Sequence, residues 1–448
     1  MIQLLLAAPS SGSGKTMMTC ALLRVLQRRG MTPCAFKCGP DYIDPMFHRA
    51  ALGVDSCNLD LFLSDASTVR TLYSEHCKDH DAAVCEGVMG FYDGLGGVTT
   101  QASAWHLADT LDLPVILVLR PKGASLTLAA QINGLRQFRT PSHIAGILLN
   151  DCTPMLAKNL TPMLERETGL PALGCLPHMP QAVVESRHLG LWTAGEVEDI
   201  GQRLDVLAQA LEENVDLPRL LSLCDRPAPP LLTARRPISP VARIAVAQDE
   251  AFCFTYGETL TALENAGAEL VPFSPLHDAA LPSNIGGLYL PGGYPELYAK
   301  ALAENESMRD SIRRAVKNGI PTVAECGGYL YLGQSLEDAS GTHWPMVGVL
   351  PGEGIRQDRL VRFGYANMTA ERDSLLFRVG ESVPIHAFHY WDCTENGAAF
   401  TLEKPVTGRS WREGFATPML YAAFPHLYFA GHPQLAARFV QAAKEAQL

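Results

Sequence analysis

The strongest constraint on the fold is a regular alternation of short apolar runs with helical patterns, which begins at the N-terminus. Met17–Arg29 places apolar residues at helical spacing, and Gly30 then supplies the residue type that commonly ends a helix. Strands that alternate with helices indicate an α/β fold, with a parallel sheet covered by helices on both faces. The apolar runs expected to be strands in this half are Ile2–Ala8, Pro33–Lys37, Ala82–Glu86, Pro114–Leu119 and Ile144–Asn150.

A second α/β series follows a connector that is rich in proline. The prolines cluster in Asp225–Pro230 and Arg235–Pro240. Since domains commonly hold roughly 100–200 residues, a chain of 448 residues has room for two or three of them. We therefore expect one α/β domain over 1–216, a linker over 217–241 and a second α/β domain over 242–448. The strands expected in the second domain are Arg243–Ala247, Leu270–Phe273, Gly287–Leu290 and Pro321–Glu325.

The charge balance and the hydropathy pattern exclude several classes of protein. Lys and Arg number 36 and Asp and Glu 47, and the net charge of −11 argues against a protein that coats nucleic acid or an anionic membrane. No run approaches the roughly 20 apolar residues of a membrane span. The apolar start Met1–Ala8 lacks a positive leader and precedes a glycine-rich loop, so we expect a buried strand rather than a signal peptide. The 12 cysteines lack paired metal-type spacing, which predicts reduced thiols in a cytoplasmic enzyme.

A glycine-rich loop between the first strand and the first helix predicts a nucleotide site. Pro9–Thr16 ends in the Gly-Lys-Thr of a phosphate loop, although Pro9 stands where that motif usually has its first glycine. In such loops backbone N–H groups and a helix N-terminus surround phosphates, the lysine reaches the terminal phosphates and the threonine can bind Mg²⁺. A loop that only turns the strand into the helix is the alternative. The residues expected to contact ATP here are Gly12, Ser13, Gly14, Lys15 and Thr16.

Polar residues at the ends of two further strands are candidates to complete the nucleotide site. Lys37, Asp41 and Glu86 follow apolar runs, and ligands of open parallel sheets bind beyond the carboxyl ends of the strands. We expect Lys37 to contact ATP. Thr16, Asp41 and Glu86 are expected to hold Mg²⁺, because phosphoryl transfer needs a metal bound by oxygen ligands. Turn roles beside Pro or Gly are the alternative for Asp41, Asp44 and Asp93, whereas Glu86 ends an apolar strand without such a role.

The second half contains a candidate nucleophile. Pro321–Leu330 reads as a buried strand that runs into Cys-Gly-Gly and then a helix, which is the form of a nucleophile elbow with Cys326 at its tip. We expect the helix N-terminus to lower the thiol pKa and the N–H of Gly327 to stabilise an oxyanion. Gly292 and Gly293 end another strand and are expected to supply the remaining backbone donors of the oxyanion hole.

A thiol nucleophile needs a base, which is usually a histidine. His426 lies in an apolar run near the C-terminus and is the expected base, with His386, His389 and His432 as competitors. The alternative is that Cys326 is a small buried apolar residue, as most of the other cysteines are expected to be, and that the histidine is a core residue.

The two predicted sites fit one reaction class. A nucleotide site can convert a carboxylate into an acyl phosphate, and a Cys–His site can release ammonia from glutamine. Ammonia that attacks the acyl phosphate then yields an amide. The sequence therefore predicts an ATP- and glutamine-dependent amidotransferase.

Several motifs together resemble the cobyrinate a,c-diamide synthases, a family of cobalamin-pathway glutamine amidotransferases. The resemblance extends from about Leu4 to about His432, and the combination of motifs is far more specific than any one of them. The segments that carry it are Phe36–His48, Asn58–Asp60, Glu86–Gly94, Arg187–Leu191, Pro291–Leu297 and Glu325–Tyr329.

The resemblance implies a fold, a reaction and residue roles. It implies a dethiobiotin-synthetase-like phosphate-loop domain followed by a class I glutamine amidotransferase domain. The implied reaction amidates the a and c acetate groups of a corrin ring, with Mg²⁺, two ATP and two glutamine per ring, through acyl phosphates. Cys326 is then the nucleophile and His426 raises its nucleophilicity. Tyr42, Asp44 and His188 lie in motif-rich segments and are candidates to contact the corrin carboxylates.

Two segments depart from the family pattern. Ile385–Tyr390 has Ile and Ala where the family usually has Gly and Glu, and Phe424–Phe429 departs from the usual Tyr-x-His-Leu-His-Phe. Both changes keep Cys326 and His426, but neither segment identifies a carboxylate partner for the histidine, and part of the expected corrin pocket wall differs.

Other functions remain open at the level of sequence. The same scaffold fits a metal-free corrin or a nickel sirohydrochlorin, because the motifs at the ATP and thiol sites would not change. A switch ATPase with a non-catalytic second domain is an alternative from another class, although the intact Cys326 argues against it. A free-standing glutaminase would leave the phosphate loop without a role. The oligomeric state is open, with a homodimer as one option.

Overall fold

The structure, a computed structural model, describes residues 1–180, 199–232 and 239–447, together with two short strands at 186–187 and 190–191. The chain divides into two compact units, Met1–Ala234 and Arg235–Leu448. Among the described residues, no helix is both long enough and apolar enough to cross a membrane.

The first unit is built on a seven-stranded, fully parallel sheet in the order β3-β2-β4-β1-β5-β6-β7. Its central strands are buried on both faces, which explains why they read as continuous apolar runs. The strands are β1 Ile2–Ala7, β2 Pro33–Cys38, β3 Ser56–Leu59, β4 Ala82–Glu86, β5 Val115–Leu119, β6 Ile144–Asn150 and β7 Ala172–Leu176; the short strands β8 Ser186–Arg187 and β9 Gly190–Leu191 pair with each other.

Helices cover both faces of this sheet and enclose two apolar cores. Helix α1, for example, buries Met18, Leu22 and Leu26 on one side, as the helical spacing of its apolar residues predicts. The helices are α1 Lys15–Arg28, α2 Ile43–Leu52, α3 Ala66–Cys77, α4 Ala104–Leu111, α5 Leu126–Phe138, α6 Pro154–Thr168, α7 Ile200–Asn214 and α8 Leu217–Cys224.

The expected linker over 217–241 begins too early. Leu217–Cys224 is helix α8, whose Leu217, Leu220 and Cys224 are buried in the core of the first unit. Asp216 accepts a hydrogen bond from Arg219 N and caps this helix. The prolines that follow α8 suggested a linker, but the helix itself packs its apolar face into the core of the first unit and therefore belongs to that unit.

The second unit contains a six-stranded sheet in the order β11-β10-β12-β13-β21-β20, which is parallel except for the β20–β21 hairpin. A second six-stranded sheet is formed mainly by antiparallel pairs and contains a long hairpin of β16 and β17. The strands are β10 Ala242–Ala247, β11 Ala268–Phe273, β12 Gly287–Leu290, β13 Thr322–Glu325, β14 Ser335–Glu337, β15 His343–Pro345, β16 Glu353–Ala370, β17 Ser382–Cys393, β18 Phe400–Glu403, β19 Ser410–Glu413, β20 Phe415–Thr417 and β21 Leu420–Ala423.

The helices of the second unit pack against the parallel sheet. Helix α13 buries Leu435, Phe439 and Val440 against one face, and α10 and α11 contribute Leu302, Met308 and Ile312 to the core on the other. The helices are α9 Gly257–Asn265, α10 Ala299–Glu304, α11 Glu306–Lys317, α12 Gly327–Leu332 and α13 Pro433–Gln447. Two α/β units, each with one mainly parallel sheet covered by helices, confirm the predicted fold class.

Candidate active sites

The phosphate loop of the first unit joins β1 to α1 in the position that the sequence predicts. Gly12 and Gly14 have φ values of +74° and +91°, which glycine adopts without strain. A Cβ on Gly14 would lie 1.9 Å from Nδ2 of Asn150, and that amide donates a hydrogen bond of 2.9 Å to the carbonyl of Ser13. The loop therefore has its conformation fixed by a side chain from the end of β6.

Lys15 opens α1 and is buried, with 8% of its surface exposed. Its Nζ donates to the carbonyl oxygens of Met89 (2.6 Å) and Ser10 (3.3 Å). Burial, and then the nearby ammonium of Lys37, lower the pKa of Lys15 to about 8. An anion bound in the loop would favour the charged form of this lysine, as expected for a group that binds phosphate.

A charged cluster lies at the carboxyl ends of β2 and β4, beside the phosphate loop. Nζ of Lys37 donates to Oε1 of Glu86 (2.8 Å) and also bonds the carboxylate of Asp44. Burial alone would lower the pKa of Lys37, but these two carboxylates raise it well above its usual value. Thr16 Oγ1 donates to the same Glu86 oxygen at 2.6 Å. The structure thus brings together Thr16, Lys37 and Glu86 from three different elements.

The second carboxylate oxygen of Glu86, Oε2, differs from Oε1 in its hydrogen bonding. Oε2 is buried and has no hydrogen-bond partner, and Nε2 of His48 lies 3.8 Å away from it. Burial raises the pKa of Glu86 to about 7. A buried carboxylate oxygen without a hydrogen bond is costly unless a ligand completes it.

The other candidates from this region lie on or near α2. Asp41 is partly exposed (35% of its side chain), and its Oδ1 accepts from Ile43 N, as in the turn role considered for it. Tyr42 and Asp44 are buried at the start of α2. Burial opposes ionisation of Asp44, but the Lys37 ammonium lowers its pKa. His188 lies outside the described residues.

In the second unit, Cys326 stands at the turn between β13 and α12. Its φ of +48° is rare for a residue other than glycine, and such strain is typical of a nucleophile elbow. Its N–H donates to Ala423 O (2.9 Å) on the neighbouring strand, and Leu330 N donates to its carbonyl. Cys326 is 6% exposed.

The positions around Cys326 require glycine because neighbouring atoms lie too close for a Cβ. A Cβ on Gly328 would lie 2.1 Å from the carbonyl oxygen of Leu290, and one on Gly327 would lie 3.1 Å from the backbone N of Gly293. A Cβ on Gly292 would lie 2.5 Å from Cε1 of His426 and 3.4 Å from Cβ of Cys326. The structure therefore places the predicted oxyanion glycines next to the predicted nucleophile.

The expected lowering of the thiol pKa is wrong for this structure. Burial, and then the nearby carboxylate of Glu296, raise the pKa of Cys326 well above its usual range, and a hydrogen bond from the N–H of Gly327 offsets only part of this. The helix that follows Cys326 has only six residues. A neutral thiol at rest makes a proton acceptor necessary for nucleophilic attack.

His426 is the histidine that the structure places beside Cys326. Cε1 and Nε2 of His426 would lie 2.5 and 3.4 Å from a Cβ on Gly292, the position that also adjoins Cys326. His386 bonds the backbone of His426 through its carbonyl (2.9 Å), and His389 stacks on Phe424 with ring centroids 3.9 Å apart. His432 is partly exposed just before α13.

Two residues in these sites escaped the sequence analysis. Asn150 ends a predicted strand, and its position at a carboxyl end was the available signal. Glu325 precedes Cys326 and is buried (1% exposed), with Oε2 3.7 Å from Nδ1 of His426. An acidic residue inside an apolar strand was the signal for Glu325.

Comparison with known protein families supports the assignment of a nucleotide site to the first half and an amidotransferase site to the second. Residues 4–189 match the model of the CobQ/CobB/MinD/ParA nucleotide-binding domain, and residues 243–434 match that of the CobB/CobQ-like glutamine amidotransferase domain. These two domains in one chain define an ATP-dependent glutamine amidotransferase, a carbon–nitrogen ligase.

Full-length relatives narrow this class to one family. The cobyrinate a,c-diamide synthase of Salmonella typhimurium is 39% identical over 452 residues, which cover 98% of each chain. The synthases of a Synechococcus strain and of Dehalococcoides mccartyi are 38% and 35% identical, and each match covers 99% of this chain and 98% of the relative. The chain therefore belongs to the cobyrinate a,c-diamide synthase family, which confirms the resemblance drawn from its motifs.

Proposed function

We propose that this enzyme amidates the a and c acetate carboxylates of cobyrinate, with ATP and glutamine, to give cobyrinate a,c-diamide. The observation that carries the proposal is the match of nearly the whole chain to relatives of that name. The geometry of both units supports it, because each brings the residues expected for one half of the reaction into one place.

In this reaction the first unit activates the corrin carboxylate by phosphorylation. Backbone N–H groups of Gly12–Lys15 would surround the phosphates, and the ammonium of Lys15 would neutralise charge that develops on the γ-phosphoryl group. An oxygen of the corrin acetate attacks the γ-phosphorus, and ADP leaves with the electron pair of the broken P–O bond. The product is a mixed anhydride, the acyl phosphate.

Mg²⁺ fits the donor set of this site. Among the described residues there is no group of three or more His, Cys, Asp or Glu side chains arranged for a metal. Mg²⁺ bound with a nucleotide needs only one or two protein ligands, since phosphate and water oxygens supply the rest. Thr16 Oγ1 and the buried Oε2 of Glu86 are the fitting ligands, with Asp41 as the more exposed candidate. When bound, the ion would offset the charge of the β- and γ-phosphates.

The second unit carries the release of ammonia. His426 accepts the Cys326 thiol proton as the sulfur attacks the amide carbon of glutamine, and backbone N–H groups of Gly293 and Gly327 stabilise the oxyanion. The imidazolium then gives its proton to the departing ammonia. Water hydrolyses the thioester to glutamate and restores the thiol. The ammonia attacks the acyl phosphate and expels inorganic phosphate, which leaves the amide.

Tyr42, Asp44 and His188 remain candidates for contact with the corrin. Asp44 already bonds Lys37 in this structure, which favours a role within the charged cluster over direct contact with a carboxylate.

The test is the amidation of cobyrinate by the purified enzyme with Mg²⁺, ATP and glutamine, followed by mass spectrometry of the corrin. The proposal predicts two successive replacements of a carboxyl OH by NH₂, with release of ADP and glutamate coupled to each. An unchanged corrin, with ATP turnover indifferent to it, would refute cobyrinate as the substrate. Parallel reactions with metal-free hydrogenobyrinate and nickel sirohydrochlorin would then identify a related tetrapyrrole.

A further inference from the structure

Glu325 is held in a fixed orientation beside the candidate base. It is the last residue of β13 and is almost fully buried. Its Oε1 accepts from the backbone N of Leu427 (3.2 Å), and its Oε2 accepts from the hydroxyl of Tyr289 (3.1 Å). Two donors from distant parts of the chain therefore fix a carboxylate that directly precedes Cys326.

The two ring nitrogens of His426 lie near different groups. Nδ1 is 3.7 Å from Oε2 of Glu325, while Nε2 adjoins the space beside Gly292 that also borders Cys326. This distance exceeds that of a hydrogen bond, and catalytic hydrogen bonds commonly reach their full strength only in the complex with substrate. The resulting order is carboxylate, imidazole and thiol.

Other titratable groups near this pair have different partners. Burial lowers the pKa values of His386 and His389 to about 3, so both are neutral rings at physiological pH. The buried carboxylate of Glu413 lies 3.1 Å from Nε of Arg362 and accepts from the indole N–H of Trp411. Glu296 faces Cys326 and raises its pKa.

We propose that Glu325 is a positioning residue for glutamine hydrolysis, an inference that rests on the proposed Cys326–His426 site. The carboxylate accepts the Nδ1–H of His426, which leaves Nε2 free of a proton to accept the one from the thiol. After that transfer, the negative charge of Glu325 stabilises the imidazolium. Tyr289 and the N–H of Leu427 keep the carboxylate in place through the cycle.

Glu325→Gln is the variant that isolates this role. The amide has the shape of the carboxylate and can still accept from Leu427 N, so the strand should fold. Its NH₂ group would face Nδ1 and favour the tautomer with the proton on Nε2, which cannot act as the base. Because a thiol is intrinsically more nucleophilic than a hydroxyl, we expect a loss of about ten- to a hundredfold in kcat for glutamate release, smaller than in serine triads.

Three further readouts distinguish positioning from a structural role. The KM for glutamine should stay within about twofold, and amidation with ammonia should be unchanged because it does not use the thiol site. The acidic limb of the pH profile of kcat/KM should move to lower pH, since the substitution removes a negative charge that favours the imidazolium. Glu325→Asp keeps the charge and should retain the position of that limb with a smaller loss of rate.

Glu381→Gln is the matched control, because Glu381 pairs with Arg438 away from the thiol site. It should leave kcat and the pH profile of glutamate release unchanged. Full glutamate release by Glu325→Gln with an unmoved acidic limb would overturn the inference. A parallel loss of the ammonia-dependent reaction would show a structural role and would overturn it as well. If the wild-type enzyme itself released glutamate no faster than Cys326→Ala, the proposed function would fail instead.

Discussion

Nζ of Lys37 and Oε1 of Glu86 form a buried ion pair of 2.8 Å at the carboxyl ends of two paired strands. Lys37 and Glu86 are partners in register across β2 and β4, so the sheet itself sets their distance. Asp44 supplies a second carboxylate to the same ammonium. The pair leaves one oxygen of Glu86 without a hydrogen bond beside the phosphate loop, where we propose that the metal binds.

Glu86→Gln should separate the two halves of the reaction. The amide keeps the shape of Glu86 but removes the anionic oxygen proposed to bind Mg²⁺. We expect ATP-dependent amidation to fall by roughly a hundredfold or more, with glutamine or with ammonia. Glutamate release in the absence of corrin should persist, because it depends on the second unit.

Glu212→Gln is the control for this substitution, since Glu212 pairs with Arg28 at 3.3 Å near the surface of the same unit. It should leave both activities intact. Retention of ATP-dependent amidation by Glu86→Gln would contradict the assignment of Glu86.

ATP binding near pH 8 should take up a proton through Lys15. Burial lowers its pKa to about 8 in the free enzyme, so about half of the molecules carry a neutral lysine at that pH. Phosphate oxygens at close range would raise this pKa and return the proton. Titration calorimetry at pH 8 in buffers of different ionisation enthalpy measures the uptake directly. At pH 6.5 the uptake by this group should vanish, and equal uptake at both pH values would contradict this prediction.

Gly14→Ala should destabilise the first unit more than a matched substitution elsewhere. The new Cβ would lie 1.9 Å from Nδ2 of Asn150, and the alanine would also have to adopt the left-handed φ of +91°. Gly30→Ala has a comparable φ of +77° with no atom within 4 Å, so it should cost only the backbone strain of about 1 kcal/mol. Urea unfolding compares the two variants. An equal loss of stability in both would show that Asn150 yields to the added methyl group.

Glu296→Gln should change the pH dependence of stability. Burial raises the pKa of Glu296 to about 7, so the folded state binds a proton more tightly than the unfolded state. The contribution of Glu296 to stability therefore declines as pH rises from about 4.5 to 7, by on the order of 3 kcal/mol in total. Relative to the wild type, Glu296→Gln should gain stability between pH 5 and pH 8 in urea unfolding.

Glu264→Gln, at an exposed position of α9, is the control and should show no such gain. Glu296 also contributes to the raised pKa of Cys326. The Cys326 thiol of Glu296→Gln should therefore react faster with iodoacetamide at pH 8 than that of the wild type. Identical pH profiles for the wild type and Glu296→Gln would contradict the buried ionisation.

Most strands of the two parallel sheets were predictable because they are buried on both faces, whereas β3, β7 and β21 were not predicted. Ala82–Glu86, Ile144–Asn150 and Gly287–Leu290 have the predicted bounds, since an apolar run flanked by turn residues is a strong signal. The β16–β17 hairpin was missed because Glu353–Ala370 mixes charged, polar and apolar residues on a half-exposed sheet. Its pattern is weak because only part of one face is buried.

The local motifs identified the centre of each site but not its supporting residues. Gly-Lys-Thr and Cys-Gly-Gly have chemistry that requires their spacing, so Lys15 and Cys326 stand out from sequence alone. Glu325 and Asn150 act through partners distant in the chain, His426 and Ser13, and only the tertiary fold brings them together. The pKa of the thiol was misjudged because burial and the charges around Cys326 depend on tertiary packing.

The most direct test of the account compares corrin amidation by Cys326→Ala and Lys15→Ala, each supplied with glutamine or with ammonium chloride. Cys224→Ala, which removes a buried thiol in the first unit, is the control and should behave as the wild type. Cys326→Ala should lose amidation with glutamine and keep it with ammonia, whereas Lys15→Ala should lose both. Amidation with glutamine at the wild-type rate by Cys326→Ala would contradict the division of the reaction between two sites.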